Sequence, residues 1–257
     1  ILKPLKGDRL MSITGGYPGG ETCRLVCLAW AKLAKQPAIL NVHNFAIAPK
    51  KAAAVYENWL DLKVSKSVKL FIGVSAVCSN SLRVRKHFEH LNKITHIYNG
   101  VCAPDPHSIA PLSLRKHLSI SSSPICIMLA NYEARKGHKL LFRAFNLVNN
   151  QYPLAHLIVC GDGTDQQKAE ISAYRDEIAP TANIHLLDFI PNGRELINQA
   201  DMLLVASQEL ESFGLTVAEA MIREVPVVST NVGGLSEVLG EDQAAGFSFN
   251  PDDVDGF

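Results

Sequence analysis

The sequence predicts an α/β protein of two domains with a cleft between them, each domain built on a parallel sheet. Three observations carry this expectation. Short apolar runs such as ICIMLA at 125–130 and MLLVA at 202–206 alternate with segments of helical spacing, as in parallel sheets covered on both faces. The alternation occurs twice, on either side of residues 103–123, where Pro104, Pro106, Pro111 and Ser121 to Ser123 give a loop composition. The two halves also differ in charge. Residues 1–93 carry 15 Lys/Arg against 5 Asp/Glu, whereas residues 94–257 carry 10 against 20. The expected division is a first domain at 1–105, a linker at 106–123 and a second domain at 124–257.

In the first domain the pattern predicts helix at 22–35, strand at 37–42, helix at 51–66, strand at 68–74, helix at 76–91 and strand at 93–98. GGYPGG at 15–20 reads as a turn with no clear strand before it. In the second domain, strand 125–130 precedes a helix at 136–150 whose Leu140, Leu141, Ala144, Phe145 and Val148 share one face. Strands at 155–160, 183–187, 202–206, 226–229 and 246–249 follow, with helices at 165–178, 193–200, 216–223 and 235–240 between them. Parallel sheets of this kind bind ligands at the carboxyl ends of their strands.

Hydrophobic residues make up 47% of the 257 residues and charged residues 19%, with zero formal net charge. That balance is globular and gives no argument for nucleic acid as a partner. The basic first half suits an anionic membrane surface or an anionic substrate; two differently solvated faces account for the same count equally well. The stretch LRVRKHFEHLNK at 82–93 is basic and partly amphipathic, with headgroup contact or a solvated helix face as its two readings. The six cysteines include no C-x-x-C pair and fit a reducing compartment. No signal peptide is visible, and no apolar run approaches the ~20 residues that span a bilayer. The location expected is therefore cytoplasmic, peripheral on the membrane at most. The chain reads as cut at both ends.

Four segments carry candidate chemistry. In ESFGLTVAE at 211–219, Gly214 stands where a helix begins. Glycine there lets backbone approach a ligand, and the unpartnered first N–H groups of a helix attract phosphate. Glu211 and Glu219 flank that point, which suits a ligand with hydroxyls on both sides of its phosphates; Thr216-x-x-Glu219 equally fits a capping box. In NYEARKGH at 131–138, Arg135 and Lys136 reach a strand's carboxyl end, either as cations for a leaving pyrophosphate or as an exposed charged loop. Gly161-Asp162-Gly163 is a turn after a strand. His43 closes the strand in ILNVHNF, a position more often structural than functional. Asp253-Val-Asp255 has Asp-x-Asp metal spacing but lies in a solvated tail, and no other metal-ligand spacing occurs.

ESFGLTVAEAM followed by PVVSTNVGGLSEV, about 28 consecutive residues, resembles the signature of family 4 (group 1) retaining glycosyltransferases with the two-domain B-type (GT-B) fold. The resemblance implies two Rossmann-like domains facing a cleft, the first of them incomplete. It implies transfer of a sugar from a nucleotide-diphosphate donor to an acceptor hydroxyl, in polysaccharide or glycolipid biosynthesis, with a glycan or lipid-linked acceptor. No cofactor and no metal are implied. Glu211 would contact the donor sugar, Glu219 the ribose, and the backbone of Phe213, Gly214 and Leu215 the sugar and phosphates. Lys136 matches the family's lysine, while Asn131 stands where the family carries an arginine, leaving Arg135 as the substitute cation. Gly161 and Gly163 match a turn near the nucleobase, and His43 a histidine facing the donor sugar. A nucleotide-sugar epimerase of the same fold and a non-catalytic donor-binding fragment are the alternatives.

Overall fold

The computed structural model describes residues 7–105, 110–240 and 245–257. The chain divides into two compact units: one runs to Asn99 and also takes in Glu211–Phe213, and the other comprises Gly100–Leu210 and Gly214–Phe257.

The first unit holds a four-stranded parallel sheet in the order β1-β2-β3-β4, from Met11–Thr14, Ala38–Val42, Val68–Gly73 and Ile94–His96. Helix α1 (Glu21–Leu33) joins β1 to β2, α2 (Ala54–Ser67) joins β2 to β3, and α3 (Ala76–Ser81) follows β3. Strand β1 is absent from the sequence expectation. MSIT alternates exposed and buried positions over only four residues, too short a run for its period to stand out. GGYPGG therefore follows a strand, and its last glycine, at φ 66°, opens α1.

The helix expected at 76–91 stops at Ser81. A 3-10 turn over Leu82–Val84 follows, and Arg85 is extended, at φ −90° and ψ 121°. The cause is tertiary. Arg85 is fully buried, with Nε 2.7 Å from Asp61 and Nη1 2.8 Å from Glu57, and Phe88 packs on Tyr17 and Phe71. The helix expected to run on to residue 91, and with it a solvated helix face at 82–93, is thus not formed beyond the 3-10 turn.

The second unit is a six-stranded, fully parallel sheet in the order β10-β9-β8-β5-β6-β7. Its strands are Ile125–Leu129 (β5), His156–Cys160 (β6), Ile184–Leu187 (β7), Met202–Val205 (β8), Val227–Thr230 (β9) and Gly246–Phe249 (β10). Ile125, Ile127, Leu157, Ile158, Val159 and Leu203 are buried, as strands covered on both faces require. The short α4 (Leu114–His117) precedes β5, α5 (His138–Gln151) joins β5 to β6, and α6 (Asp165–Ile178) joins β6 to β7. Thr164 and Gln167 close a reciprocal capping box at the start of α6. On α5 the buried face includes Leu140, Leu141, Ala144 and Phe145 as expected, with Phe142 and Asn149; Val148 is exposed. Helices α7 (Leu215–Met221) and α8 (Leu235–Leu239) cover β8 to β10, and 193–199 form a 3-10 helix.

The expected linker at 106–123 needs correction. Residues 106–109 lie outside the described residues, but Leu114 and Ile120 are buried in the second unit's core. Gln199 accepts a hydrogen bond from the Leu114 N–H at 2.9 Å and donates to the Leu112 carbonyl at 2.7 Å. This loop composition marks irregular chain that nevertheless belongs to a core. Among the described residues no helix is long and apolar enough to cross a membrane.

Candidate active site

The order of the second sheet creates its own crevice. From β5 the chain moves outward through β6 and β7, then returns to β8 on the other side of β5. The segments after β5 and β8 leave neighbouring strand ends in opposite directions, which opens the place where such sheets bind ligands. Lys136 lies in one of these segments and Gly214 in the other.

The two segments are in close contact. The Gln208 N–H donates to the Arg135 carbonyl at 2.7 Å. A β-carbon at Gly137 would stand 1.7 Å from the Ala206 carbonyl oxygen, and Gly137 has φ 76°. Only glycine allows this approach. It places Lys136, half-buried at the end of the Ala134–Lys136 turn, at the strand ends immediately before α5.

Arg135 is engaged within its own loop. Its Nε lies 2.6 Å from the Glu133 carboxylate. Burial works against the Glu133 charge, but the hydrogen bond and charge of Arg135 hold its carboxyl below the ordinary value. Asn131 is exposed. Gly161 meets the β5 end: a β-carbon there would stand 1.9 Å from the Ala130 carbonyl oxygen. At Gly163 it would stand 2.9 Å from the Tyr132 β-carbon. The Gly-Asp-Gly turn thus has a packing requirement that punctuation alone does not impose.

Gly214, at φ 93°, is the residue before α7, and no side chain caps that helix. Thr216 therefore lies inside α7, and the capping box with Glu219 is not formed. Glu219 instead lines a cleft of about 230 Å³ with Asn131, Gly161, Phe189, Arg194 and Thr216. Burial raises its pKa, opposed by the charges of Arg194 and Arg223. Leu215 is exposed at the start of α7.

Sequence reasoning passed over Phe189, Ile190 and Arg194 as site residues. They follow β7 in FIPNGRE, where nothing in the pattern separates a lining arginine from a solvated helix charge.

His43, Glu211 and Phe213 belong to the first unit. His43 is exposed directly after β2, and its backbone N–H donates to the Thr14 carbonyl at 2.9 Å. Ser212, next to Glu211, donates from Oγ to the His43 carbonyl at 2.9 Å, and its own carbonyl accepts from Ser75 Oγ at 2.6 Å. Phe213 is buried, with its ring centroid 6.0 Å from that of Tyr98. Leu210, at φ 42°, carries the chain into Glu211 in the left-handed region that non-glycine residues rarely adopt.

A family model described as "Glycosyl transferases group 1" matches residues 111–257. A phosphatidyl-myo-inositol mannosyltransferase of Propionibacterium freudenreichii is 25% identical over 221 residues, covering 85% of this chain and 52% of that protein. An N-acetyl-alpha-D-glucosaminyl L-malate synthase of Bacillus anthracis is 31% identical over 133 residues, covering 49% of this chain and 32% of that protein. The chain thus spans about half or less of the length of these two relatives. Among solved structures, Anabaena Alr3699/HepE in complex with UDP and glucose superposes with a TM-score of 0.72 at 20% identity, covering 92% of this chain and 64% of that one. That likeness shows the fold, an α/β architecture of parallel sheets matching GT-B glycosyltransferase structures.

Proposed function

The chain belongs to the group 1 glycosyl transferases, and on that premise we propose that it is the donor-binding body of a retaining glycosyltransferase. The observation that carries the proposal is the placement of Lys136 by the Gly137–Ala206 contact at the switch point of a parallel sheet. In this reading the donor is a nucleotide-diphosphate sugar; the similar Anabaena structure, a complex with UDP and glucose, supports that choice. The acceptor is a glycan or a lipid-linked hydroxyl; the mannosyltransferase relative, whose name specifies phosphatidyl-myo-inositol, supports the lipid side. The protein works in the cytoplasm or against the inner membrane face, in polysaccharide or glycolipid biosynthesis.

The proposed chemistry follows from the charges. The bond between the donor's anomeric carbon and its phosphate oxygen breaks. Positive charge grows on the sugar ring and negative charge on the leaving diphosphate. Lys136 is the cation that offsets the second, without a metal. The acceptor hydroxyl forms the new bond on the face the diphosphate leaves, and its proton departs with the diphosphate. Glu211 and His43 hold the sugar, Glu219 holds the ribose, and the backbone at Phe213, Gly214 and Leu215 follows the sugar and phosphates. Gly161 and Gly163 keep the path to the base open. Arg135 is a phosphate ligand only if it leaves Glu133.

Calorimetry with UDP, GDP and ADP sugars, with and without EDTA, tests the reading. One donor should bind irrespective of EDTA, and binding should be lost in Glu211→Ala. Binding of none of them, or binding indifferent to Glu211, refutes the donor site.

A further inference from the structure

The cleft beside Glu219 holds a residue that the donor reading leaves without a role. Its base-side wall comes from the segment after β7 and the 3-10 helix at 193–199. Arg194 is the one cation among the described residues that line it. In the donor reading Glu219 holds the ribose, and Glu219 shares this cleft with residues that follow β6 and β7, so the base attached to that ribose reaches the wall that carries Arg194. Gly161, Phe189 and Ile190 line the same cleft.

Arg194 is presented from a turn held by a buried ion pair. The next residue, Glu195, is buried, and its carboxylate lies 3.0 Å from Arg223 Nη2 in an ion pair shielded from solvent on both sides. Asn198 donates to its other oxygen at 3.3 Å. Arg223 also donates from Nη1 to the Glu219 carbonyl at 3.0 Å. One ion pair therefore ties the backbone of Glu219, on one wall, to the turn that carries Arg194, on the other. The Arg194 Nε approaches Glu195 Oε1 at 3.4 Å, while its side chain remains half exposed.

A guanidinium has five N–H donors and no acceptor. It matches a base edge that offers carbonyl oxygens and mismatches one that offers an amine. Guanine presents O6 with N7, and uracil, like thymine, presents carbonyl oxygens; adenine places an amino group where guanine has O6. Resting on the donor-site reading above, we propose that Arg194 reads the nucleobase, selecting a uracil or guanine nucleoside diphosphate over its adenine counterpart.

Calorimetric titration of UDP, GDP and ADP into the wild-type chain, Arg194→Ala and Arg194→Lys tests this. The wild type should bind UDP or GDP more tightly than ADP. Arg194→Ala should weaken the preferred nucleotide about tenfold, the loss of one hydrogen bond to a charged group, and ADP less than about twofold. Arg194→Lys, which keeps the charge but loses the planar fork, should fall between. Wild-type preference for ADP, equal losses for all three nucleotides, or no loss in Arg194→Ala overturns the assignment while leaving the donor site standing. A wild-type chain that binds none of them overturns the donor-site reading itself.

Discussion

Gly137 and the carbonyl of Ala206 are in such close contact that a β-carbon on Gly137 would lie 1.7 Å from that oxygen. The clash is with backbone, which has no rotamer to yield, and φ 76° adds the cost of a left-handed non-glycine residue. Gly137→Ala should therefore destabilise the second unit by more than about 2 kcal/mol. Chemical denaturation followed by circular dichroism measures this; a loss below about 0.5 kcal/mol, the range of ordinary surface substitutions, contradicts the packing argument.

Lys136 should behave in the opposite way. It is half-buried in a polar loop, and Lys136→Ala should shift the melting midpoint little. Its proposed role is to stabilise charge that exists only in the transition state. Its removal should then lower kcat about 100-fold or more, the scale of losing one preorganised electrostatic partner. The measurement is turnover of the enzyme with its nucleotide sugar. Unchanged turnover removes Lys136 from the mechanism.

The Arg85 cluster should matter for stability. Arg85 and Asp61 are fully buried at 2.7 Å, Glu57 lies 2.8 Å from Nη1, and the Tyr17 hydroxyl donates to Asp61 at 2.6 Å. Arg85→Ala leaves buried Asp61 only the more distant Arg24, at 3.9 Å, as a counter-charge, and should cost about 3 kcal/mol. Arg85 also donates to the Ile47 carbonyl at 3.0 Å, so the segment after His43 should lose order with it. Hydrogen exchange at 43–47 reads this second effect; protection unchanged at matched global stability argues against the link.

These outcomes bear on what the sequence could disclose. The second sheet was legible strand by strand, because ICIML, HLIVC and MLLV are apolar runs buried within a parallel sheet. At 131–138 and 211–219 the sequence showed a Lys-Gly step after a strand and a glycine where a helix begins, and Gly137 and Gly214 stand directly before α5 and α7. Three features needed tertiary information. β1 is too short to show its period. The helix at 76–91 breaks because Arg85 turns inward to carboxylates 24 and 28 residues earlier in the chain. Arg194 resembles any solvated arginine until Glu195 is seen to be buried against Arg223.

The last prediction concerns pH. His138 is 1% exposed beneath the Lys136 loop, with its ring 5.2 Å from Tyr132 and 6.4 Å from Phe142. Burial, with a smaller contribution from the Lys136 charge, pushes its pKa down from 6.5 to about 4. The folded chain therefore holds His138 neutral where the unfolded chain protonates it. Its contribution to stability is complete above about pH 6.5 and is lost as pH falls towards about 4, where the folded form also takes up a proton. The loss should approach about 3 kcal/mol across that window. His138→Leu removes the titrating group, so subtracting its denaturation free energy from that of the wild type at each pH isolates the effect. A difference that does not change between pH 7 and pH 4.5 shows that His138 is protonated in the folded protein and that the ring is not shielded as described.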